Sequence, residues 1–554
     1  METKQEQLKV HERIVAWLAT SRYIVPFLFF LGLLRTAFSF LAYAPADGAD
    51  GMKYHLYAAY ISGIPLNDLV SELSPLYPYF IYLHRYVLGN FELILVTQFL
   101  MSSLIGVIYF LALRRYHAGL AFIIALAIIG DMQTSLNFNF VATEPLYITL
   151  IASAFAFSMQ LSKDSSLKEG LIFAILTGIS VGLLSHTRTV GSYVIVPIAV
   201  LATLKTRRWQ QILALLIAYA LTSFLFVGIL RLNGAEQKGS ANQVMYFNFL
   251  NRMQALAPDR PAPTDVPIVV SPTAIATDIV VTPEATGIVE IRDAVSPTNT
   301  VVVLPTNAPE TGTDELRDAI DACGDSRSSS TTLIDCMQEE LGGQGEFTST
   351  IQQAYIETIL EDSSVFITLM YDNVTAFLKM SGHQFFERDG LPAEAQCNDL
   401  DGRHQRALDF FTLLWADANM TQTEYEALDS TTWDFIQQMC PPSKTIPEFQ
   451  DLAWYISFRY RSISRPNPYL WYGLLLALIT IVPWMRKLWY PIMMAGGLLF
   501  YHAVVSAVAI NVQPRYVVVT NPFKIILVVS LIVLVIQQVI IMASKLSTKS
   551  EGKE

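Results

Sequence analysis

Residues 93–113 read LILVTQFLMSSLIGVIYFLAL, an uncharged run that ends directly against Arg114 and Arg115. An α-helix needs about 20 apolar residues to cross the hydrocarbon core of a bilayer. Basic residues gather at the cytoplasmic ends of such spans. This stretch therefore predicts a membrane-spanning helix and its orientation, with Leu113 at the cytoplasmic end.

The rest of the chain repeats this pattern. Of its 554 residues, 52% are hydrophobic and only 15% are charged, and the mean hydropathy is +0.39. This composition is typical of membrane proteins. Apolar runs predict further spans at 24–43, 141–161, 210–230, 489–511 and 523–543, and shorter runs predict weaker ones at 118–130, 170–185, 190–204 and 468–485. We therefore predict an α-helical polytopic membrane protein with about ten spans.

The basic residues agree with that number of spans. If the N-terminus is cytoplasmic, every predicted inside segment is basic: Arg114/Arg115, Lys163/Lys168, Lys205/Arg207/Arg208, Arg486/Lys487, and Lys545, Lys549 and Lys553 in the tail. Removing any one span would break this alternation. The resulting organisation is an amphipathic cytoplasmic segment 1–22, a membrane core 23–232, an external segment 233–465, C-terminal spans 466–544 and a cytoplasmic tail 545–554.

The external segment 233–465 is rich in Asp and Glu, and it accounts for the net charge of −11. Its residues 257–312 are dense in Pro, Thr and Val, which predicts an extended arm. Apolar residues at helical spacing predict helices at 347–380, 402–418 and 447–460, so the segment is expected to be mainly helical. No basic stripe indicates nucleic-acid binding, and that class of partner is excluded.

All four cysteines lie in this external segment: Cys323, Cys336, Cys397 and Cys440. An even number of cysteines in an external region predicts disulfides. Pairing neighbours along the chain is the simplest of the possible connectivities. A metal site is the alternative, but neither CxxC spacing nor neighbouring histidines favour it.

Ionisable residues gather near the predicted external ends of several spans. They are Asp47, Asp50, Asp131, Glu144, His186, Arg188, His502 and Arg515. Each alone could simply end its helix in the interface, but acids and bases at membrane depth usually line a cavity or pair with one another. Carboxylates suit a base that deprotonates an acceptor hydroxyl. Arginines suit capture of a phosphate, so a lipid-linked phosphate such as a polyprenyl-phosphate sugar fits both.

The first external loop, 44–92, contains DGADGMKYHLYAA from Asp47 to Ala59 and SPLYPY from Ser74 to Tyr79. Its spacing of Asp50, Tyr54 and Ala58 resembles the first external loop of GT-C membrane glycosyltransferases. That family includes the dolichyl-phosphate-mannose protein mannosyltransferases and the bacterial lipid A aminoarabinose transferases. Three later motifs resemble the family in the expected order: ATEPLY at 142–147, LSHTRT at 184–189, and QPRY at 513–516 with Asn521-Pro522.

The resemblance implies a GT-C-like fold and an enzyme that transfers a sugar, with inversion, from a polyprenyl-phosphate donor at the external face. It implies that Asp50, or Asp47 as the alternative, is the catalytic carboxylate, and that Glu144 and Asp131 orient hydroxyl groups or hold a divalent cation. It also implies that the donor phosphate is bound by Arg188, Arg515, His186 and Tyr516. The sugar is expected to contact Tyr54 and Tyr77. The metal requirement stays open. The acceptor, a lipid, glycan or protein, also stays open, because segment 233–465 matches little of the family.

Membrane lipids surround such an enzyme, and we expect a bacterial plasma membrane because the first loop is closer to bacterial relatives. Two other functions stay open at this stage. A lipid-linked polysaccharide polymerase or ligase would depend on basic residues of the external segment rather than on Asp50. A transporter would usually show internal repeats and polar residues at the bilayer midplane, and neither pattern is visible here. A structural or sensor protein would leave the Asp50 and Glu144 loops unexplained.

Overall fold

The computed structural model describes residues 13, 15–43, 45–47, 51–66, 74–162, 166–232, 318–319, 322–323, 336, 340–342, 350, 353, 370–371, 373–378, 399–414, 420–439, 446–464, 472, 474–476, 483–508 and 517–551. The chain forms two compact units, Met1–Ala241 with Thr368–Glu554, and Asn242–Ile367. In the second unit, Cys323 and Cys336 form a disulfide with their Cα atoms 5.9 Å apart. Cys397, Cys440 and the arm 257–312 lie outside the described residues, so their predictions stay untested.

The first unit is built from helices. Its first part contains α1 Ile24–Ala42, α2 Gly51–Ile61, α3 Leu76–Tyr82, α4 Glu92–Leu113, α5 Ala118–Gly130, α6 Met132–Leu136, α7 Thr143–Gln160, α8 Leu167–Ser185, α9 Ile195–Thr206 and α10 Trp209–Leu232. The later part contains α11 Leu400–Leu414, α12 Gln422–Gln438, α13 Pro447–Ser464, α14 Trp489–Val508 and α15 Asn521–Glu551. The described part of this unit also contains a π-helix at Leu83–Val87 and short 3₁₀ helices at Asn137–Asn139, Thr189–Tyr193 and Pro483–Leu488. Two strands of two residues each, β1 Ala46–Asp47 and β2 Phe140–Val141, lie in it as well.

Six of the described helical stretches are long and apolar enough to cross a membrane: Ile24–Ala42, Glu92–Leu113, Leu167–Ser185, Trp209–Gly228, Arg486–Ala507 and Asn521–Ala543. A seventh results if Ala118–Gly130 and Met132–Asn139, which meet at a bend of 53°, form one broken span. The protein is therefore an α-helical integral membrane protein. The larger total of about ten spans stays a prediction. Helix α7 begins with a polar turn, and Val190–Thr206 is shorter than a full span.

Helix positions follow the apolar runs closely. Helix α4 begins one residue before the predicted run, and α14 begins at the predicted Trp489. Helix α8 begins earlier than its apolar run because the Ser166 side chain accepts a hydrogen bond from the Glu169 backbone N–H at 3.2 Å. This N-cap brings the polar Lys168 and Glu169 into the first helical turn. In segment 233–465, α11 and α13 form where helical spacing predicted helices.

Small residues let the helices pack closely. Gly178 and Gly182 of α8 are spaced as in a GxxxG motif. Gly178 lies directly against the α10 backbone at Leu215, and Gly182 lies against the Thr222 side chain of α10. Gly32 of α1 lies in the same way against the Ser103 carbonyl of α4. Membrane helices associate largely through such close backbone approaches, because lipid provides little hydrophobic drive between them.

Replacing Gly178 with valine should destabilise the bundle. A Cβ atom at this position would overlap the Leu215 carbonyl oxygen, so α8 and α10 would have to separate. Overpacking of this kind costs about 1–3 kcal/mol, and we expect a clear fall in the melting temperature of the purified protein. Gly228→Val on α10 is the matched control, because a Cβ there meets nothing within 4 Å. Equal losses in both variants would contradict the packing argument.

The connections separate into two ends of the bundle. At one end, which we call the basic end, Lys205 donates to the Tyr116 hydroxyl at 2.6 Å and to the Met159 carbonyl at 3.0 Å. Its ammonium also lies 3.9 Å from the centre of the Tyr490 ring. At the opposite end, which we call the loop end, the Asn139 amide donates to the carbonyls of Ser39 and Tyr43, both at 2.9 Å.

Candidate functional site

Two segments at the loop end are joined by a parallel strand pair. Ala46 lies opposite Phe140 and Asp47 lies opposite Val141. The pairing brings the first loop next to the residues that lead into Glu144. Asp50 and the side chain of Asp47 lie outside the described residues, so their catalytic roles stay predictions. The backbone of Asp47 nevertheless shows where the loop begins.

Gln98 of α4 holds the strand β2 and the first loop together through hydrogen bonds. Its amide nitrogen donates to the carbonyls of Phe138 and Phe140, at 2.9 and 2.8 Å. Its amide oxygen accepts a hydrogen bond from the Tyr77 hydroxyl at 3.0 Å. Gln98 is fully buried. One side chain thus ties α3 of the first loop to the strand β2.

The two tyrosines predicted to contact the sugar lie together. The rings of Tyr54 and Tyr77 meet edge to face, with centroids 5.4 Å apart. Burial raises the pKa of the Tyr77 phenol, and the nearby Glu144 carboxylate and Tyr54 add to the rise. Tyr77 therefore stays protonated and lies within electrostatic reach of Glu144. Tyr77 is completely buried, whereas 8% of Tyr54 is exposed.

Glu144 and Arg188 form a largely buried ion pair. The Arg188 Nη1 atom donates to the Glu144 Oε1 atom at 2.7 Å, and the exposed fractions of the two side chains are 12% and 7%. Glu144 lies in the first turn of α7, where the helix dipole favours an acid. Arg188 lies in the turn after α8. The pair therefore joins two of the segments that the sequence motifs singled out.

A second polar contact lies one helical turn further along α7. The Nδ1 atom of His502 is 2.7 Å from the Leu498 carbonyl, so it carries the imidazole proton. The Nε2 atom must then accept, and the Tyr147 hydroxyl donates to it at 2.7 Å. The neighbouring Tyr501 donates to the Val190 carbonyl, two residues after Arg188. Helix α14 is thereby fixed to both α7 and the Arg188 turn.

His186 lies beside this group. Its carbonyl oxygen accepts a hydrogen bond from the Leu76 backbone N–H at 3.0 Å, which joins the start of α3 to the end of α8. Its ring stacks on Phe226 with centroids 5.0 Å apart. Within the described part of the chain, its Nε2 atom has no hydrogen-bond partner. Burial lowers the pKa of His186, so at neutral pH it offers a hydrogen bond rather than a charge.

Asp131 belongs to a separate cluster. It caps α6 by accepting hydrogen bonds from the Gln133 backbone N–H and the Thr134 hydroxyl, at 3.2 and 2.5 Å. The Asn521 amide donates to it at 3.4 Å. The buried Arg35 and Lys524 also interact with it electrostatically. Asp131 therefore serves the bend between α5 and α6, and its predicted contact with sugar stays a prediction.

Two of the predicted ligands of the donor phosphate, Arg515 and Tyr516, lie outside the described residues. Where the structure describes the chain, no three His, Cys, Asp or Glu side chains come close enough together to hold a metal ion. The side chains of Asp47 and Asp50 lie outside the described part of the chain. The metal requirement accordingly stays open.

Comparison of the chain with protein-family models, with curated proteins and with solved structures finds no match.

Two residues of this region escape the sequence motifs. Gln98 lies inside an apolar run, where single polar residues are common and give little signal. Arg35 carries a stronger signal, because a charge within the apolar run 24–43 is costly unless it has a function or a partner. Its Nη2 atom donates to the Ser102 carbonyl at 2.7 Å.

Proposed function

We propose that the protein is an integral membrane glycosyltransferase that moves a sugar from a polyprenyl-phosphate donor to an acceptor at the external face. The loop end of the bundle is then the external end, and a bacterial plasma membrane is the expected location. The transfer inverts the configuration at the anomeric carbon. The acceptor is a lipid, a glycan or a protein.

One observation carries the proposal. The buried pair Glu144–Arg188 lies within electrostatic reach of Tyr77, whose ring contacts Tyr54. The first loop with Tyr77, the ATEPLY motif with Glu144 and the LSHTRT motif with Arg188 are distant in sequence, yet these three side chains are neighbours. A carboxylate, an arginine and aromatic rings at one membrane interface are the groups that an acceptor hydroxyl, a phosphate and a sugar require.

In this proposal Asp50, or Asp47 in its place, removes the proton from the acceptor hydroxyl. The acceptor oxygen bonds to the anomeric carbon while the bond from that carbon to the donor phosphate oxygen breaks. Negative charge develops on the departing polyprenyl phosphate, and Arg188 and Arg515 stabilise it. A guanidinium has five N–H donors, so Arg188 can hold Glu144 and a phosphate together. His186 and Tyr516 add hydrogen bonds to the phosphate.

The remaining predicted residues act on the sugar. Glu144 and Asp131 orient hydroxyl groups, and Tyr54 and Tyr77 offer aromatic surface to the sugar ring. If a divalent cation takes part, the same carboxylates would bind it, and it would help to neutralise the phosphate.

The test is transfer of radiolabelled sugar from a panel of polyprenyl-phosphate sugars, with wild type, Asp50→Asn and Asp47→Asn in the same membranes. We expect the wild type to consume one donor and Asp50→Asn to lose this activity, while Asp47→Asn keeps it. The reverse result would exchange the two roles. If folded wild type consumes no donor, the proposal fails and the polymerase or ligase alternative is next.

A transporter is a further candidate, and the bend of 53° at Asp131 favours it. Broken helices beside buried charges mark the substrate sites of many transporters. Here the break adjoins Arg35 and Lys524. Uptake of a labelled solute by proteoliposomes, lost in Asp131→Asn, would support transport over transfer.

A further inference from the structure

Helices of the external segment share a hydrophobic core with the first loop. Buried side chains of α2 pack in one cluster with side chains of α11 and α12: Met52, Leu56 and Tyr57 with Leu408, Phe411 and Phe435. In addition, the Lys53 ammonium lies 5.6 Å from the centre of the Phe410 ring of α11. This part of the external segment is therefore joined to the first loop.

Arg85 is the polar centre of this interface. Its Nη1 atom lies 2.7 Å from the Nε2 atom of His55 in α2 and donates to the Gln438 side chain of α12 at 2.8 Å. Its Nη2 atom pairs with Asp434 of α12. Only 11% of the Arg85 side chain is exposed. One guanidinium thus holds α2 and α12 together.

The π-helix Leu83–Val87 carries Arg85, and the Leu88 backbone N–H closes it on the Leu83 carbonyl at 2.9 Å. Such one-turn bulges redirect side chains and are frequent at functional sites. The neighbouring His84 is held by the Phe80 carbonyl and the Thr97 hydroxyl, at 2.7 and 3.0 Å. The π-helix is therefore fixed to α3 and α4, and the backbone of Arg85 is held in place.

The contact requires a neutral His55. A guanidinium can only donate, so the His55 Nε2 atom must accept and the Nδ1 atom carries the proton. That Nδ1 atom is buried and has no hydrogen-bond partner within the described residues. The rings of Phe435 and Phe91 cover the imidazole, with centroids 4.6 and 6.0 Å from its own. A second proton on His55 would therefore place two cations face to face.

We infer that α12 is a positioning element for the first loop and that Arg85, through His55, is the positioning residue. Helix α2 begins at Gly51, directly after Asp50, so whatever fixes α2 fixes the backbone beside that carboxylate. The external segment and the candidate site are thereby coupled mechanically. The contribution to catalysis rests on the proposed function, whereas the coupling does not.

Hydrogen exchange of the full-length protein in lipid nanodiscs tests the coupling without any substrate. Asp434→Ala should speed amide exchange in α2 about tenfold, as expected for loss of a charge-assisted hydrogen bond, and should leave α4 unchanged. Glu426→Ala is the matched control, because among the described residues this exposed acid of α12 bonds only to Gln422 of the same helix. Unchanged exchange of α2 in Asp434→Ala would overturn the inference. This outcome is independent of whether sugar is transferred.

The pH dependence separates positioning through His55 from mere packing. Burial and the neighbouring Arg85 lower the pKa of His55 well below its usual 6.5. When His55 and Arg85 are apart, His55 therefore binds a proton more readily than when they are in contact. The contact between His55 and Arg85 is fully stable above about pH 6.5 and weakens as the pH falls below that value. In the described part of the chain, the charged groups near the ring are Arg85 and, through it, Asp434. The covering side chains Phe91 and Phe435 carry no charge.

We therefore expect the rate of amide exchange in α2 of the wild type, corrected for the intrinsic rate, to increase as the pH is lowered from about 7.5 to about 5.5. His55→Gln keeps an acceptor for Arg85 but does not titrate, so its exchange should not respond to pH in this range. An identical pH response in the two proteins would exclude His55 from this role.

Discussion

Arg188→Leu is expected to abolish sugar transfer and to lower the stability of the protein. The substitution removes the proposed phosphate ligand, and the loss of one such electrostatic donor typically slows an enzyme by about 10²–10³-fold. It also leaves the Glu144 carboxylate buried without its partner, which costs about 3–5 kcal/mol. Transfer assays and melting curves on the same purified samples measure both effects.

The double variant Glu144→Gln/Arg188→Leu separates the two effects. It removes the uncompensated charge, so much of the lost stability should return, while transfer should stay absent. Arg188→Lys is the conservative comparison: it keeps the charge but lacks the planar fork of donors, so we expect a folded protein with weak activity. If the double variant regained both stability and transfer, Arg188 would have no role beyond pairing with Glu144.

Gln98→Leu is expected to produce the second large effect, on stability and on the geometry of the first loop. The substitution leaves the Tyr77 hydroxyl and the carbonyls of Phe138 and Phe140 without the hydrogen bonds that Gln98 provides. Each hydrogen bond lost at a buried group costs about 0.5–1.5 kcal/mol, and up to about 3 kcal/mol where the group keeps no other partner. A large fall in the melting temperature should follow, together with faster hydrogen exchange in α3.

Two milder variants test this explanation. Tyr77→Phe removes only the hydroxyl, so it should lose less stability than Gln98→Leu and keep the edge-to-face contact with Tyr54. Gln98→Glu can still accept from Tyr77, but its carboxyl group donates no hydrogen bond when ionised and only one when protonated, so it cannot serve both carbonyls. We therefore expect Gln98→Glu to be nearly as damaging as Gln98→Leu. A stable Gln98→Glu protein would contradict the assigned hydrogen bonds.

The sequence predicts the membrane helices well because the bilayer imposes a length and a polarity on each of them. The run 93–113 and helix α4 differ by one residue, and the start of α14 agrees. Helix α8 begins before its predicted apolar run, because the Ser166 N-cap brings two polar residues into the first helical turn. Helix α7 carries Glu144 in its first turn, so its composition alone does not distinguish a span from a buried helix.

The candidate site was only partly predictable. Glu144, His186 and Arg188 stand out in the sequence because ionisable groups at span ends are costly. Their neighbours do not stand out. Gln98 resembles any polar residue tolerated in a span, and strands of two residues are too short to show a period. The partners Arg85 and Asp434 are 349 residues apart, so no local pattern connects them.

The long separations between contacting residues dictate the order in which the loop end can be built during synthesis. Tyr147 and His502 are 355 residues apart, and Asp131 and Asn521 are 390 apart. A chain that has inserted only α1 to α10 already contains Glu144 and Arg188, but it lacks the helices that hold them from the other side. The last two described helices therefore complete the loop end, and a nascent chain lacks the hydrogen bonds of Tyr147 and Asp131 to these helices until both have been made.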